Sequence, residues 1–166
     1  MSDIFRIVVE TLKIIFPAYC ANAIPVLAGG GLPIDFGKKF IDKKPIFGEN
    51  KTYKGFISGL AAGTLVGIIE NAIFRQHPQI FGFLTSMGAL LGDLIGAFIK
   101  RRVGIAPGKP LPVVDQIDFI VGALLFAYPL GILSSELVLA ALIITPPIHF
   151  LTNFAAYKLG LKSNPW

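Results

Sequence analysis

Long apolar runs decide the fold class of this chain before any motif does. Five can be drawn, roughly Ile4–Leu27, Gly55–Phe74, Ile80–Ile99, Ile117–Leu133 and Leu137–Tyr157. Their lengths approach the roughly 20 residues that a helix needs to cross a bilayer core. Only 15% of the residues are charged and 54% are hydrophobic, with a mean hydropathy of +0.69. A soluble domain ordinarily carries about a quarter charged residues. The sequence therefore predicts an all-α integral membrane protein, one polytopic domain over residues 1–166 with about five transmembrane helices. The first run contains Arg6, Glu10 and Lys13 and no small-residue cleavage site follows it, so it does not read as a removable signal peptide. Cys20 is the sole cysteine, which excludes a disulfide framework and a cysteine-based zinc site.

The links between runs set the topology. Arg75-Gln76-His77-Pro78-Gln79 and Ser134-Ser135-Glu136 are short enough to make antiparallel helical hairpins, whereas residues 28–54 and 100–116 form long polar loops. Lys38, Lys39, Lys43, Lys44, Lys51 and Lys54 fall in the first loop; Lys100, Arg101, Arg102 and Lys109 fall in the second. Lys158 and Lys162 follow the last run. With five spans all these cations lie on one side, and the positive-inside rule places both loops and the C-terminus in the cytoplasm with the N-terminus outside. The net charge of +5 is thus explained by membrane orientation, and no nucleic-acid partner is expected.

Glycine recurs every fourth residue at Gly55, Gly59, Gly63 and Gly67, and again at Gly88, Gly92 and Gly96. That spacing puts each set on one helix face and lets backbones approach closely. Packing explains the glycines themselves, and their position draws Asp93 into the bundle.

Ionisable groups at the edge of a hydrocarbon-like segment are costly and mark function. Asp93, Lys100, Arg101, Asp115 and Asp118 gather in this way where the third and fourth runs meet the second loop. Asp115 and Asp118 are three apart and share a helix face. Oxygen-only ligands of this kind suit Mg²⁺, so Asp93, Asp115 and Asp118 are candidate metal ligands. Two of them also have a purely structural explanation: Asp118 as a carboxylate favoured near a helix N-terminus, Asp93 as a partner of Lys100 or Arg101. In the first loop, Pro25, Gly29-Gly30-Gly31 and Pro33 are expected to stop the helix, and Gly-rich turns can cradle anions. Lys51-Thr52 lies just before the second run, where a helix N-terminus favours phosphate. The spacing of a P-loop is absent.

These residues reach a family. Gly92-Asp93, Lys100-Arg101, Pro107-Gly108 and Asp115-x-x-Asp118 together resemble the signature of CDP-diacylglycerol synthases. Lys109-Pro110-Leu111 and Gln116 stand where that signature has His-Gly-Gly and Arg. Asn22-Ala23-x-Pro25, Gly29-Gly30-Gly31, residues 33–38, Phe47-Gly48 and Lys51-Thr52 are similar to the archaeal branch, the CDP-archaeol synthases. The resemblance implies a Mg²⁺-dependent cytidylyltransferase of the cell membrane, with its site facing the cytoplasm. Its partners would be CTP and an archaeal ether-lipid phosphate, 2,3-di-O-geranylgeranylglyceryl phosphate. Asp93, Lys100, Asp115 and Asp118 would be catalytic; Lys38, Lys51, Lys100 and Arg101 would bind phosphates. Asn22, Gly30, Gly31, Asp35 and Thr52 complete the expected nucleotide-binding set, with Asn22 and Asp35 facing cytosine or ribose.

Other readings stay open at this level: a phosphatidic acid cytidylyltransferase, a small transporter, or a scaffold, each as monomer or oligomer. Glu10 and Lys13 read as an intrahelical pair. His77 has no neighbouring ligands, His149 is expected to bond across helices, and Pro146-Pro147 to bend the last one.

Overall fold

The computed structural model describes residues 3–162, 164 and 165. Five α-helices follow in order: α1 Asp3–Ala28, α2 Tyr53–Phe74, α3 Phe81–Arg102, α4 Val114–Ala127 and α5 Ser135–Lys158, with a 3-10 turn Tyr128–Leu130 after α4. Each falls on one of the five apolar runs. No strand forms among the described residues; the first loop holds two isolated antiparallel bridges, Pro33 with Thr52 and Lys39 with Pro45.

Local chemistry sets the helix starts. The Thr52 hydroxyl accepts the Gly55 N–H at 3.1 Å to open α2, and Ser134 does the same for Leu137 at 3.3 Å to open α5. α1 runs through Pro17 and Pro25 and ends at Ala28, just before the glycine triplet expected to stop it. Proline deprives the carbonyl four residues back of its donor. For Pro25 that carbonyl belongs to Ala21, and its oxygen lies 2.5 Å from where a Cβ on Gly59 of α2 would sit, so the glycine leaves the freed carbonyl its room. α5 is likewise helical through Pro146-Pro147.

Length separates the helices further. α2, α3 and α5 are long and apolar enough to cross a membrane. α4 has 14 residues and rises about 21 Å, less than the roughly 30 Å of a hydrocarbon core. α1 is long, but Arg6, Glu10 and Lys13 interrupt it. The Lys13 ammonium donates to Glu10 at 2.9 Å and to Gln76 at 3.1 Å, and stands 4.6 Å over the Phe74 ring. This polar knot ties the N-terminal half of α1 to the short α2–α3 link.

The core lies where α1, α3 and α4 meet, around Ile15, Ala18, Ala89, Phe119, Ile120 and Ala123. Both glycine rows act as the spacing predicts. Gly59 and Gly63 seat α2 on α1, and Gly67 meets the backbone of Gly82 in α3. Gly88 and Gly92 meet the backbone of α4 at Gly122 and Asp118. A methyl group at Gly67 would collide with backbone, which has no rotamer to escape into. Gly67→Ala should therefore lower stability in detergent by about 1–3 kcal/mol. Leu65→Ala, at an exposed position of the same helix, should stay within about 0.5 kcal/mol of the parent. Thermal or denaturant unfolding of the two variants side by side checks the contrast.

Candidate active site

The C-terminal ends of α1, α3 and α5, the N-terminal ends of α2 and α4, and both long loops surround one cavity of about 710 Å³. Asn22, Gly30, Lys51, Thr52, Asp93, Lys100, Arg101, Asp115 and Asp118 all line it. Residues separated by up to 96 positions in the chain thus share one wall system.

The backbone delivers Lys51 to this place. Ile34 N–H donates to the Lys51 carbonyl at 2.8 Å and Tyr53 N–H to the Leu32 carbonyl at 3.0 Å, so the residues before α2 are held as an extended pair. The Lys51 ammonium then reaches both oxygens of Asp93, at 2.7 and 2.5 Å. Lys100 makes the matching pair with Asp115, at 2.8 and 2.7 Å, and Asp115 also accepts the Leu111 N–H at 2.9 Å. The expected alternative, Asp93 paired with Lys100 or Arg101, does not form. Seven residues of helix separate Asp93 from Lys100 by about 10 Å along the axis, beyond direct contact. Just before α4, Val113 is held at φ 70°. A β-branched residue there is strained, so surrounding contacts must impose the turn that presents Asp115.

Asp118 lies deeper. One of its oxygens accepts the Phe119 N–H at 2.6 Å, and its carboxylate packs against Gly96, where only a glycine leaves room. Arg101 is 4% exposed, and its Nε and Nη1 have no partner in the protein. A buried cation left in that condition is costly, and an anion entering the cavity would relieve it.

Three members of the expected set stand apart. Asp35 is buried, but its carboxylate accepts backbone N–H groups from Gly37 and Phe47 at 2.9 Å and Gly48 at 3.0 Å. It organises the first loop and does not line the cavity, in contrast to the base- or ribose-facing role expected from sequence. Burial alone would raise the pKa of its carboxyl; the three donors outweigh burial and hold it below the ordinary 3.8. Lys38 is exposed and Gly31 faces open space, both off the cavity wall.

One wall of the cavity carries residues outside the expected set. His149, Thr152, Asn153 and Ala156 on α5 line the cavity together with Lys162 from the following segment. Their spacing of three, four and seven residues, with three polar residues, His149, Thr152 and Asn153, inside an apolar run, is the available signal. The His149 ring meets Asn153 Nδ2 at 3.1 Å within its own helix, so its hydrogen bond does not cross helices as expected. It reaches α4 through its ring, 5.6 Å from that of Phe119. Lys162 donates to Asn153 Oδ1 at 2.9 Å, and burial pushes its ammonium pKa down. His77 lies at the opposite end of the bundle, its ring tilted against that of Phe81 with centroids 4.4 Å apart.

Asp93, Asp115 and Asp118 offer hard oxygen donors on one cavity, which fits Mg²⁺ chemistry. Among the described residues, no three His, Cys, Asp or Glu side chains stand close enough to hold a metal ion by themselves. Two of the three carboxylates are engaged by lysines.

The chain matches the family described as "CarS-like: CDP-archaeol synthase" over residues 4–166. The CDP-archaeol synthase of Pyrococcus furiosus is 48% identical over 164 residues, covering 96% of this chain and 98% of that protein. The enzyme of the same name from Methanocaldococcus jannaschii is 41% identical over 175 residues, covering 98% and 99%. A solved structure described as an intramembrane enzyme for archaeal membrane lipids biosynthesis superposes with a TM-score of 0.83 at 34% identity, covering 88% of this chain and 94% of that one.

The geometry at Asp35 has a measurable consequence. Because its folded pKa is depressed, the ionised carboxylate stabilises the loop fully above the ordinary value of 3.8, and this contribution is lost as pH falls below it. Asp35→Asn should accelerate hydrogen exchange at the Phe47 and Gly48 amides by about tenfold at neutral pH, the scale of one bond to a charged acceptor. Unchanged exchange there would show that the loop does not depend on this carboxylate.

Proposed function

The chain belongs to the CDP-archaeol synthase family, and we propose that its 710 Å³ cavity is where the cytidylyl group of CTP passes to a lipid phosphate. The enzyme performs cytidylyl transfer in archaeal membrane-lipid synthesis. The acceptor is assigned as 2,3-di-O-geranylgeranylglyceryl phosphate, and the products as CDP-archaeol and pyrophosphate. One observation carries the placement: Arg101 is buried at the cavity with unpartnered donors, while Lys51 with Asp93 and Lys100 with Asp115 already satisfy one another. The missing partner is an anion from outside the protein, and both substrates are phosphates.

A phosphate oxygen of the lipid attacks the α-phosphorus of CTP. The new P–O bond forms as the bond from that phosphorus to the bridging oxygen breaks, and pyrophosphate leaves with the electron pair. No strong base is required, because the attacking phosphate is an anion at neutral pH. Catalysis is then mainly positioning and charge stabilisation. Lys51, Lys100 and Arg101 are the cations for the triphosphate and the lipid phosphate. The Thr52 oxygen already accepts the helix-start bond, which leaves its hydroxyl proton to donate. Asn22 is assigned to the nucleoside.

Mg²⁺ fits Asp118 together with Asp93 or Asp115. It is ordinarily held by one or two carboxylates plus substrate phosphates, so a preformed cage of three acids is not needed. When bound it would neutralise triphosphate charge and the leaving pyrophosphate.

Incorporation of labelled CTP into extracted lipid by purified protein tests the assignment. Ether-linked geranylgeranyl acceptor should be used and ester-linked phosphatidic acid should serve poorly; the reverse order would reassign the substrate. Asp93→Asn and Asp118→Asn should each reduce Mg²⁺-dependent turnover by roughly 10- to 100-fold or more, at least the loss expected for a supporting residue of a metal site. Lys51→Ala should raise KM for CTP. Near-normal turnover of either aspartate variant removes that residue from the site.

The orientation is assigned with five traverses, the N-terminus outside, and both long loops, the cavity and the C-terminus in the cytoplasm. It is supported by the loop cations and by the convergence of five helix ends on one cavity. In a Cys20→Ser background, an impermeant thiol reagent applied to intact cells should label Gln79→Cys and spare Ile41→Cys. The opposite pattern overturns the orientation.

A further inference from the structure

Lys100, Arg101 and Arg102 are consecutive, so each leaves α3 about 100° from the last, and each meets a different environment. Lys100 pairs with Asp115, and Arg101 enters the cavity. Arg102 turns the other way, onto the first loop. Its guanidinium carbon lies 4.9 Å from the Phe40 ring centroid and 4.6 Å from that of Phe98, and these two rings are 5.3 Å apart, edge to face. Its Nη1 donates to Asp42 at 2.9 Å and its Nη2 to the Pro45 carbonyl. In return, the Lys44 ammonium donates to the Arg102 carbonyl at 2.9 Å. This last bond satisfies one of the orphan acceptors at the end of α3.

Every loop partner of Arg102 lies in residues 40–45. That stretch is a small hairpin, closed by Phe40 N–H to the Lys44 carbonyl at 2.8 Å and Ile46 N–H to the Lys38 carbonyl at 3.3 Å. The chain leaving the hairpin runs directly along the cavity wall from Phe47 to Thr52. Phe47 packs 6.5 Å from Phe98, the ring on which Arg102 stacks, and Gly48 abuts Pro107 of the second loop. Lys51 is three residues further on.

We propose that Arg102 is a positioning residue for nucleotide binding: it clamps the first-loop hairpin to the end of α3 and so fixes the cavity wall that carries Lys51. It touches no substrate. An arginine suits this task because a planar guanidinium can lie against both aromatic rings while its fork donates to Asp42 and Pro45, a geometry an ammonium does not offer.

The consequence for CTP rests on the cavity being the nucleotide site; the consequence for the loop does not. Full-length protein in lipid nanodiscs is compared with Arg102→Ala, Arg102→Lys and Phe40→Ala. Hydrogen exchange is followed over residues 38–52, and KM for CTP and kcat are measured separately. Arg102→Ala should accelerate exchange through the hairpin and raise KM for CTP roughly tenfold, one decade of affinity, with kcat less affected. Arg102→Lys should rescue only part of both effects. Phe40→Ala should shift both in the same direction by a smaller factor.

Unchanged exchange in Arg102→Ala overturns the clamp. A raised KM with unchanged exchange also overturns it, because Arg102 would then contact the nucleotide itself. If Arg102→Ala does not fold, Phe40→Ala decides: Phe40 is 43% exposed on a loop, and its loss leaves the helix packing intact. If the unsubstituted protein transfers nothing from CTP, the assignment of the cavity fails, while the exchange data still judge the clamp.

Discussion

A charge at the border of hydrocarbon must be partnered, and the arrangement of this molecule follows from how its charges are matched. Lys51 with Asp93 and Lys100 with Asp115 are partly buried pairs, each joining segments far apart in sequence. The first joins the approach to α2 to the middle of α3; the second joins the end of α3 to the start of α4. Removing one partner would strand the other in a poorly solvated place. The pairs therefore hold three helix ends around a common space.

The pairs can form only because the helices approach so closely. Gly88, Gly92 and Gly96 bring α4 against α3 until backbone meets backbone, and Asp118 occupies the space beside Gly96. Gly55, Gly59, Gly63 and Gly67 do the same for α2 against α1 and α3. In a membrane, helix association gains little from the hydrophobic effect and depends on such contact. The exposed aliphatic residues of α2 and α5, Ile57, Ile73, Leu139 and Ile143 among them, are consistent with an outer surface facing lipid tails.

Much of this could be read from residue order. The five helices fall on the five apolar runs, because long apolar segments leave the backbone few ways to satisfy its hydrogen bonds. Most of the expected site residues share one cavity, because the acids and cations lie at run ends that alternate in direction. What escaped has physical causes. How α1 tolerates Pro25 is not visible in sequence, because a glycine on the neighbouring helix accommodates the freed carbonyl, a tertiary effect absent from local pattern. The Asp35 carboxylate is consumed by its own loop; a carboxylate in a Gly-rich segment looks the same in sequence whether it serves the loop or a ligand. The α5 wall was overlooked because His149, Thr152 and Asn153 are sparse among apolar residues, and only packing shows which way they face. Length by length, α1 and α4 also differ from the other three helices, one interrupted by charge and one cut short.

The strained backbone at Val113 has an implication for the architecture as a whole. The chain enters α4 through Pro110-Leu111-Pro112, a segment with little conformational freedom of its own. The left-handed residue at its end is a bend that valine would avoid in isolation. The energy of that bend must come from the contacts on either side, principally Lys100 and the Leu111 amide gripping Asp115. The second loop is thus under tension in the resting protein, like a bent latch. The Lys100–Asp115 pair therefore does two things at once, matching a charge and holding a bend that the chain would not adopt by itself.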